Sequence, residues 1–154
     1  MKVGIIGLGR MGEGMSRRLM KAGHETWGYR RNLAKATEAY EKGYVSGIAH
    51  SIQQLSDVMH RNSAMYGEKS GDTVYTPAVF LLVIPAELVE ETLDELLQYT
   101  QPGDIIIDHG NSNFKDSRRR AQRLEKLGIQ FIDCGTSGGV YGLERGYCLM
   151  RWGS

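Results

Sequence analysis

Residues Gly7-Leu8-Gly9-Arg10-Met11-Gly12 fit the pattern G-x-G-x-x-G, and what flanks them narrows the fold more than any other feature of the chain. Ahead of them, Val3-Gly-Ile-Ile-Gly7 is a short apolar run of the kind shown by a strand buried on both faces. Behind them the spacing turns helical. Met11, Met15 and Leu19 share one face, while Arg17, Arg18 and Lys21 turn outward. In such a strand–turn–helix unit the first glycine permits a tight turn, the second lets backbone approach a pyrophosphate, and the third allows close helix–strand packing. The helix N-terminus adds free amides and a partial positive charge. Gly7, Leu8, Gly9, Arg10, Met11 and Gly12 are therefore the first candidate cofactor contacts.

The rest of the chain repeats this alternation. Gly23 ends the first helix, and Glu25 to Tyr29 reads as a second strand. Asn32 is placed to cap a helix from Leu33 to about Lys42, with Gly43 as its stop. Tyr44 to His50 offers a weak third strand, and Ser51 caps a helix through Leu55 and Val58. His60 to Pro77 is polar, aperiodic and punctuated by Gly67, Gly71 and Pro77, which reads as a long surface excursion. Val79 to Ile84 is the next strand, and Leu88, Leu93, Leu96 and Leu97 line the helix after it. Beyond the Pro102-Gly103 turn, Asp104 to Asp108 is a strand, Asn113 caps a helix to about Leu127, and Ile129 to Cys134 is a strand again. Strands alternating with single helices imply right-handed crossovers and a parallel sheet covered on both faces. The expected fold is α/β, a doubly wound parallel sheet of the Rossmann type.

Composition excludes several other classes. With 41% apolar and 24% charged residues and a net charge of +1, the chain is ordinary for a globular domain, and its scattered basic residues suit neither nucleic acid nor an anionic membrane. No apolar run approaches the ~20 residues of a membrane span, and Met1-Lys2 leads straight into a strand without a secretory signal, so the expected setting is cytoplasmic. Cys134 and Cys148 lack metal-ligand spacing and read as reduced thiols, with no metal site.

The residue that reads the adenosine ribose belongs at the end of the second strand. An acid there accepts from a free 2′-hydroxyl and favours NAD. Here the strand ends Gly28-Tyr29-Arg30-Arg31-Asn32, with no carboxylate and two guanidiniums suited to a 2′-phosphate. Arg30, Arg31 and Asn32 join the candidate cofactor contacts, and the expected cofactor is NADP rather than NAD.

Two further strings follow strands at the edge where open α/β sheets bind ligands. They are Asp108-His109-Gly110-Asn111-Ser112 and Gly135-Thr136-Ser137-Gly138-Gly139. Both carry small polar groups and exposed amides suited to a sugar hydroxyl or a carboxylate. Together with Gly7–Gly12, Phe114-Lys115-Asp116-Ser117 and Gly142-Leu-Glu-Arg-Gly-Tyr-Cys-Leu-Met150, they make the chain resemble the decarboxylating 6-phosphogluconate dehydrogenases over nearly its whole length. The last segment is similar to the shorter-chain bacterial branch.

That resemblance implies hydride transfer from C3 of 6-phosphogluconate to a nicotinamide, loss of carbon dioxide, and release of ribulose 5-phosphate. It implies that Asn111 contacts substrate and the nicotinamide-side ribose. Ser137, Gly138 and Gly139 hold the substrate's carboxylate end, and Val83, Ile84 and Pro85 border the nicotinamide half. It assigns residues 1–150 to the dinucleotide-binding domain and leaves 151–154 as a tail outside the family pattern. The general base (a lysine), the general acid (a glutamate) and most of a dimer interface belong to an all-helical domain downstream of Met150, so no catalytic residue is expected within these 154 residues, and homo-oligomerisation is a possibility for the full enzyme.

Three positions depart from the family: Arg30, where the short-chain branch often carries aspartate; His109, where glycine is usual and where an imidazole crowds or titrates beside the substrate edge; and the longer stretch from His60 to Pro77. Two other functions remain open: a 3-hydroxyacid dehydrogenase-type cofactor domain, and a stand-alone dinucleotide-binding or regulatory module.

Overall fold

A computed structural model describes residues 1–61 and 76–152. In chain order the elements are β1 (Lys2–Ile6), α1 (Arg10–Lys21), β2 (Glu25–Tyr29), α2 (Leu33–Glu41), β3 (Gly47–Ile48), α3 (Ile52–Arg61), β4 (Val79–Leu82), α4 (Ala86–Leu96), β5 (Ile105–Asp108), α5 (Phe114–Glu125), β6 (Gln130–Ser137), a 3-10 turn (Gly139–Tyr141), α6 (Gly142–Arg145) and β7 (Cys148–Trp152). The strands form one sheet in the order β3-β2-β1-β4-β5-β6-β7, parallel except for the antiparallel β7. The order reverses between β1 and β4, which opens a crevice at their carboxyl ends. The chain therefore has the doubly wound α/β fold that its sequence implies.

Residues on the two sides of the strands feed two cores. Ile6, Phe80, Leu82 and Ile106 pack with α3, α4 and Leu124 of α5 on one face. Val3, Ile5, Leu8 and Leu81 pack with Val45 and Leu19 on the other. Fully burying a side chain such as Phe80 or Leu8 contributes roughly 1.5–3 kcal/mol. Leu8 is placed by a glycine: a Cβ on Gly28 of β2 would lie 2.3 Å from the Leu8 side chain. The loop after β1 is thus anchored beneath β2.

Helix boundaries follow their capping residues. The Asn32 side chain accepts from the Lys35 amide at 3.1 Å, Ser51 Oγ from the Gln54 amide at 3.0 Å, and the Asn113 side chain from the Lys115 amide at 2.9 Å.

Several expected boundaries move. The third strand shrinks to Gly47–Ile48, although amides of Ser46 and Ala49 extend its pairing to β2 by a hydrogen bond each. β4 ends at Leu82, not Ile84, and Asp104 precedes β5 because its carboxylate is occupied with the amides of Ala78 and Gln101 and with His60. His60 and Arg61 finish α3 instead of opening a loop. The remainder of the excursion expected there, up to residue 75, lies outside the described residues. β6 runs to Ser137, beyond the expected end at Cys134, and β7 returns beside it with Ser137 opposite Cys148 and Asp133 opposite Trp152. The boundary placed after residue 150 thus falls inside a strand. Glycines at 135, 138 and 139 hide both strand extensions from a reading based on apolar alternation. No helix among the described residues is long and apolar enough to cross a membrane.

Candidate functional site

The loop between β1 and α1 sits at the mouth of the crevice, and its three glycines meet three different demands. Gly7 has φ +107°, and a Cβ there would lie 2.2 Å from the Val83 carbonyl oxygen. A Cβ on Gly12 would lie 2.0 Å from the Gly7 carbonyl oxygen. Both glycines therefore serve the fold: one lets the loop turn against the end of β4, the other lets α1 close onto the loop. Gly9 differs. A Cβ there would meet no protein atom within 4 Å. Nothing internal requires glycine at that point, whereas a ligand lying on the backbone would. Gly9 also precedes α1, whose first amides point toward the same space.

A cleft of about 350 Å³ runs from this loop past Tyr29, Arg30, Arg31 and Asn32 to Val83, Ile84 and Pro85. Every cofactor candidate after β2 and β4 thus borders one continuous space with Gly7, Leu8 and Gly9. The residues differ in what they already do. Arg30 donates to the Leu8 carbonyl at 2.5 Å and lies 3.9 Å from Glu13, so its guanidinium is folded over the glycine loop. Arg31 reaches across the cleft to Glu91 at 2.8 Å, and both groups are exposed. Asn32 spends its side-chain oxygen on the α2 cap.

Beside Arg30, a second recess of about 270 Å³ is lined by Gly9, Arg10, Glu13, Lys35 and Lys42. Sequence reading missed Lys35, although it stands one helical turn beyond the arginine pair. The Lys42 and Glu38 pair is fully exposed; a hydrogen bond and mutual attraction raise the lysine pKa and lower the glutamate's. A larger groove, about 650 Å³, lies on the outer flank between α5 and β6, away from the glycine loop. Volume alone would select it, but it has no backbone cradle.

The loops after β5 and β6 are tied to each other. Asn111 is the non-glycine residue with positive φ among those described, at +54°. Its side-chain oxygen accepts from the Thr136 amide at 3.0 Å, and its amide donates to the Thr136 carbonyl at 3.3 Å. His109 is buried, and its Nδ1 lies 2.8 Å from Thr136 Oγ1. The same hydroxyl lies 3.0 Å from the Cys134 carbonyl, to which it donates. Burial pushes the imidazole pKa below its ordinary value, against the pull of the neighbouring Asp108 charge. His109 is thus a neutral strut between β5 and β6.

Beneath them lies a charged network that sequence reading missed. Asp108, fully buried, accepts from the Gly110 amide and from Ser112 Oγ, each at 2.7 Å. Arg120 of α5, also buried, donates to Ser112 Oγ and to Glu90 of α4, each at 2.9 Å, and stands 3.5 Å from Asp108. For Glu90, burial pushes the carboxyl up, but the Arg120 hydrogen bond and the charges of Arg120 and Arg119 outweigh it and hold the pKa below the ordinary value. The available signal was helical phase: Arg120 shares a face with Ser117 and Leu124, the other buried residues of α5. Ser137 and Gly139 remain exposed, and Gly138 (φ +142°) is half-buried. The structure brings Asn111 to the end of β6, one residue before Ser137.

Residues 2–154 match the family model described as the NAD binding domain of 6-phosphogluconate dehydrogenase. Among curated relatives, the chain is 37% identical over 155 residues to the decarboxylating 6-phosphogluconate dehydrogenase of Candida albicans, covering 99% of this chain and 27% of that protein. It is 34% identical over 153 residues to the NAD(+)-dependent, decarboxylating 6-phosphogluconate dehydrogenase of Haloferax volcanii, covering 99% of this chain and 45% of that protein. Among solved structures, Plasmodium falciparum 6-phosphogluconate dehydrogenase, determined in apo form and with NADP+ and 6-phosphogluconate, superposes with a TM-score of 0.79 at 25% identity, covering all of this chain and 31% of that one. The chain thus spans between about a quarter and a half of the length of these relatives.

Proposed function

Since the chain belongs to the family of NAD-binding domains of 6-phosphogluconate dehydrogenase, we propose that it holds the cofactor, as NADP, for the oxidative decarboxylation of 6-phosphogluconate. The observation that carries this reading is Gly9: a glycine that no internal contact requires, at the N-terminus of α1, on a cleft bordered by two arginines. Gly9 and the first amides of α1 would hold the pyrophosphate. The adenosine 2′-phosphate would be held by Arg30, in the recess that Arg10 and Lys35 share, with Arg31 and Asn32 on the adjoining cleft. When bound, the cofactor would supply a hydride acceptor, and Val83, Ile84 and Pro85, which line the same cleft, would border its nicotinamide half.

The substrate side follows the same pattern. Asn111 contacts the sugar acid and the nearer ribose, and Ser137, Gly138 and Gly139 receive its carboxylate through a hydroxyl and backbone amides. These groups orient a substrate but do not accept its proton. Asp108, at the end of β5, has both oxygens engaged by Gly110, Ser112 and Arg120. Oxidation at C3 needs a base at the hydroxyl, and the enediol that follows needs an acid. The reading assigns both to the helical half that full-length enzymes carry, so these 154 residues bind without turnover.

The test is a spectrophotometric assay of NADPH formation from 6-phosphogluconate with saturating NADP. No NADPH is expected from the purified chain. Steady formation that disappears in His109→Ala would overturn the assignment and make the imidazole a base.

A further inference from the structure

Tyr147 stands between α6 and β7, within the Gly142–Met150 string but with no role assigned above, and its ring occupies a slot walled by three glycines from two parts of the chain. A Cβ on Gly14, in the second turn of α1, would lie 2.0 Å from the Tyr147 hydroxyl oxygen and 3.3 Å from Cζ. A Cβ on Gly142 would lie 2.1 Å from Cε1, and one on Gly138 would lie 3.0 Å from Cδ1. Gly14 lies in the interior of α1, where glycine costs about 1 kcal/mol relative to alanine. The contacts with Tyr147 account for that choice. One turn further along α1, Arg18 donates to the Leu143 carbonyl at 3.0 Å, a second tie between the same two elements. Burial raises the phenol pKa, opposed by the Arg18 charge.

The helix whose first amides would hold the cofactor therefore also carries, at Gly14, the wall for the Tyr147 hydroxyl, while Gly138 lies against the ring edge of the same side chain. We propose that Tyr147 is a positioning residue: it fixes the Ser137-Gly138-Gly139 loop relative to α1, so that substrate carboxylate and cofactor are held in one geometry. This rests on the assignment of that loop to the carboxylate. A ring that merely filled space would affect stability and both ligands alike. A positioning ring affects the loop and leaves the dinucleotide cradle intact, because Gly7 and Gly9 do not touch it.

The experiment uses the whole chain, isotopically labelled, with amide resonances followed by NMR and ligand affinities by titration. Gly14→Ala drives a methyl into the phenol hydroxyl. The expected result is displaced Gly138 and Gly139 resonances, NADP affinity within about twofold of wild type, and 6-phosphogluconate affinity on the NADP-loaded chain reduced about tenfold or more. Adding Tyr147→Phe removes the colliding oxygen, leaves a 3.3 Å approach, and restores the resonances and the affinity. Unmoved Gly138 and Gly139 resonances, an equal loss of both ligands, or no rescue by Tyr147→Phe would overturn the proposal. Should Gly14→Ala fail to fold, Tyr147→Ala decides: an emptied slot displaces the same two resonances if the ring positions the loop, and leaves them in place if it does not. A wild-type chain that binds NADP but not 6-phosphogluconate contradicts the carboxylate assignment, while the ligand-free resonances still decide the coupling between α1 and the loop.

Discussion

The loop after β1 and the loops after β5 and β6 open on the same edge of the sheet, yet they are held by different means. At Gly7–Gly12 shape is set by backbone sterics: two glycines fit because carbonyl oxygens lie 2.2 and 2.0 Å from where a Cβ would stand, and the third faces open space. At Asp108–Ser112 and Gly135–Gly139 shape is set by side chains from distant segments. Asn111 and His109 bind Thr136, and Asp108, Arg120 and Glu90 brace the turn from below. Backbone sterics leave a surface ready for phosphates and indifferent to the wider chain. A side-chain network depends on every member, because a buried charge that loses its partner is costly. The first edge should therefore fail by losing ligand, the second by losing stability.

Gly9→Val is the sharpest way to break that contrast. The added Cβ meets no protein atom within 4 Å, but the isopropyl group would take the place proposed for the pyrophosphate. Calorimetric titration is expected to show dinucleotide affinity reduced more than about a thousandfold, over roughly 4 kcal/mol, with the melting temperature little changed. Retained binding would reduce the glycine string to a turn. Arg120→Met is the converse. It removes the cation facing buried Asp108 and leaves that carboxylate only its Gly110 and Ser112 hydrogen bonds, so denaturant unfolding should report a loss of about 3–5 kcal/mol, and a stability near wild type would mean the network carries no weight.

Arg30→Asp tests the ribose end with a smaller effect. NADP should weaken by about 1.5–3 kcal/mol, the scale of a charged hydrogen bond, while NAD changes little; parallel losses of both would place Arg30 on the shared part of the dinucleotide. The smallest effect belongs to His109. Its pKa is lowered in the folded chain, so below the unfolded value of about 6.5 the unfolded chain takes up a proton that the folded chain resists. That contribution is complete above about pH 6.5 and declines as pH falls toward the folded pKa, by at most about 1.4 kcal/mol per pH unit. His109→Gln should flatten this dependence in melting curves. An unchanged slope would mean that burial does not hold the imidazole pKa below its ordinary value.

The same contrast explains what the sequence disclosed. G-x-G-x-x-G, the arginines at 30 and 31 and the helix caps are local patterns, because turn geometry and capping are decided within a few residues. The same alternation discloses the doubly wound class, whereas the strand order and the antiparallel β7 come from the structure. Arg120 was hidden in an Arg118-Arg119-Arg120 run that looks like a solvated face, and only the helix phase set by Leu124 turns it inward. Thr136, β7 and Tyr147 were hidden for a related reason: the glycines around them suggest loop, and the partners that make them structural lie up to 133 residues away, as Gly14 does from Tyr147.

The central claim is that an arginine-bordered glycine cradle selects NADP. Side-by-side calorimetric titration of the unaltered chain with NADP and with NAD tests it most directly. Saturable one-to-one binding of NADP, at least about tenfold tighter than NAD, a difference of about 1.4 kcal/mol or more, is the result this account predicts. Equal affinities would contradict the 2′-phosphate assignment, and the absence of binding by either dinucleotide would contradict the cradle itself.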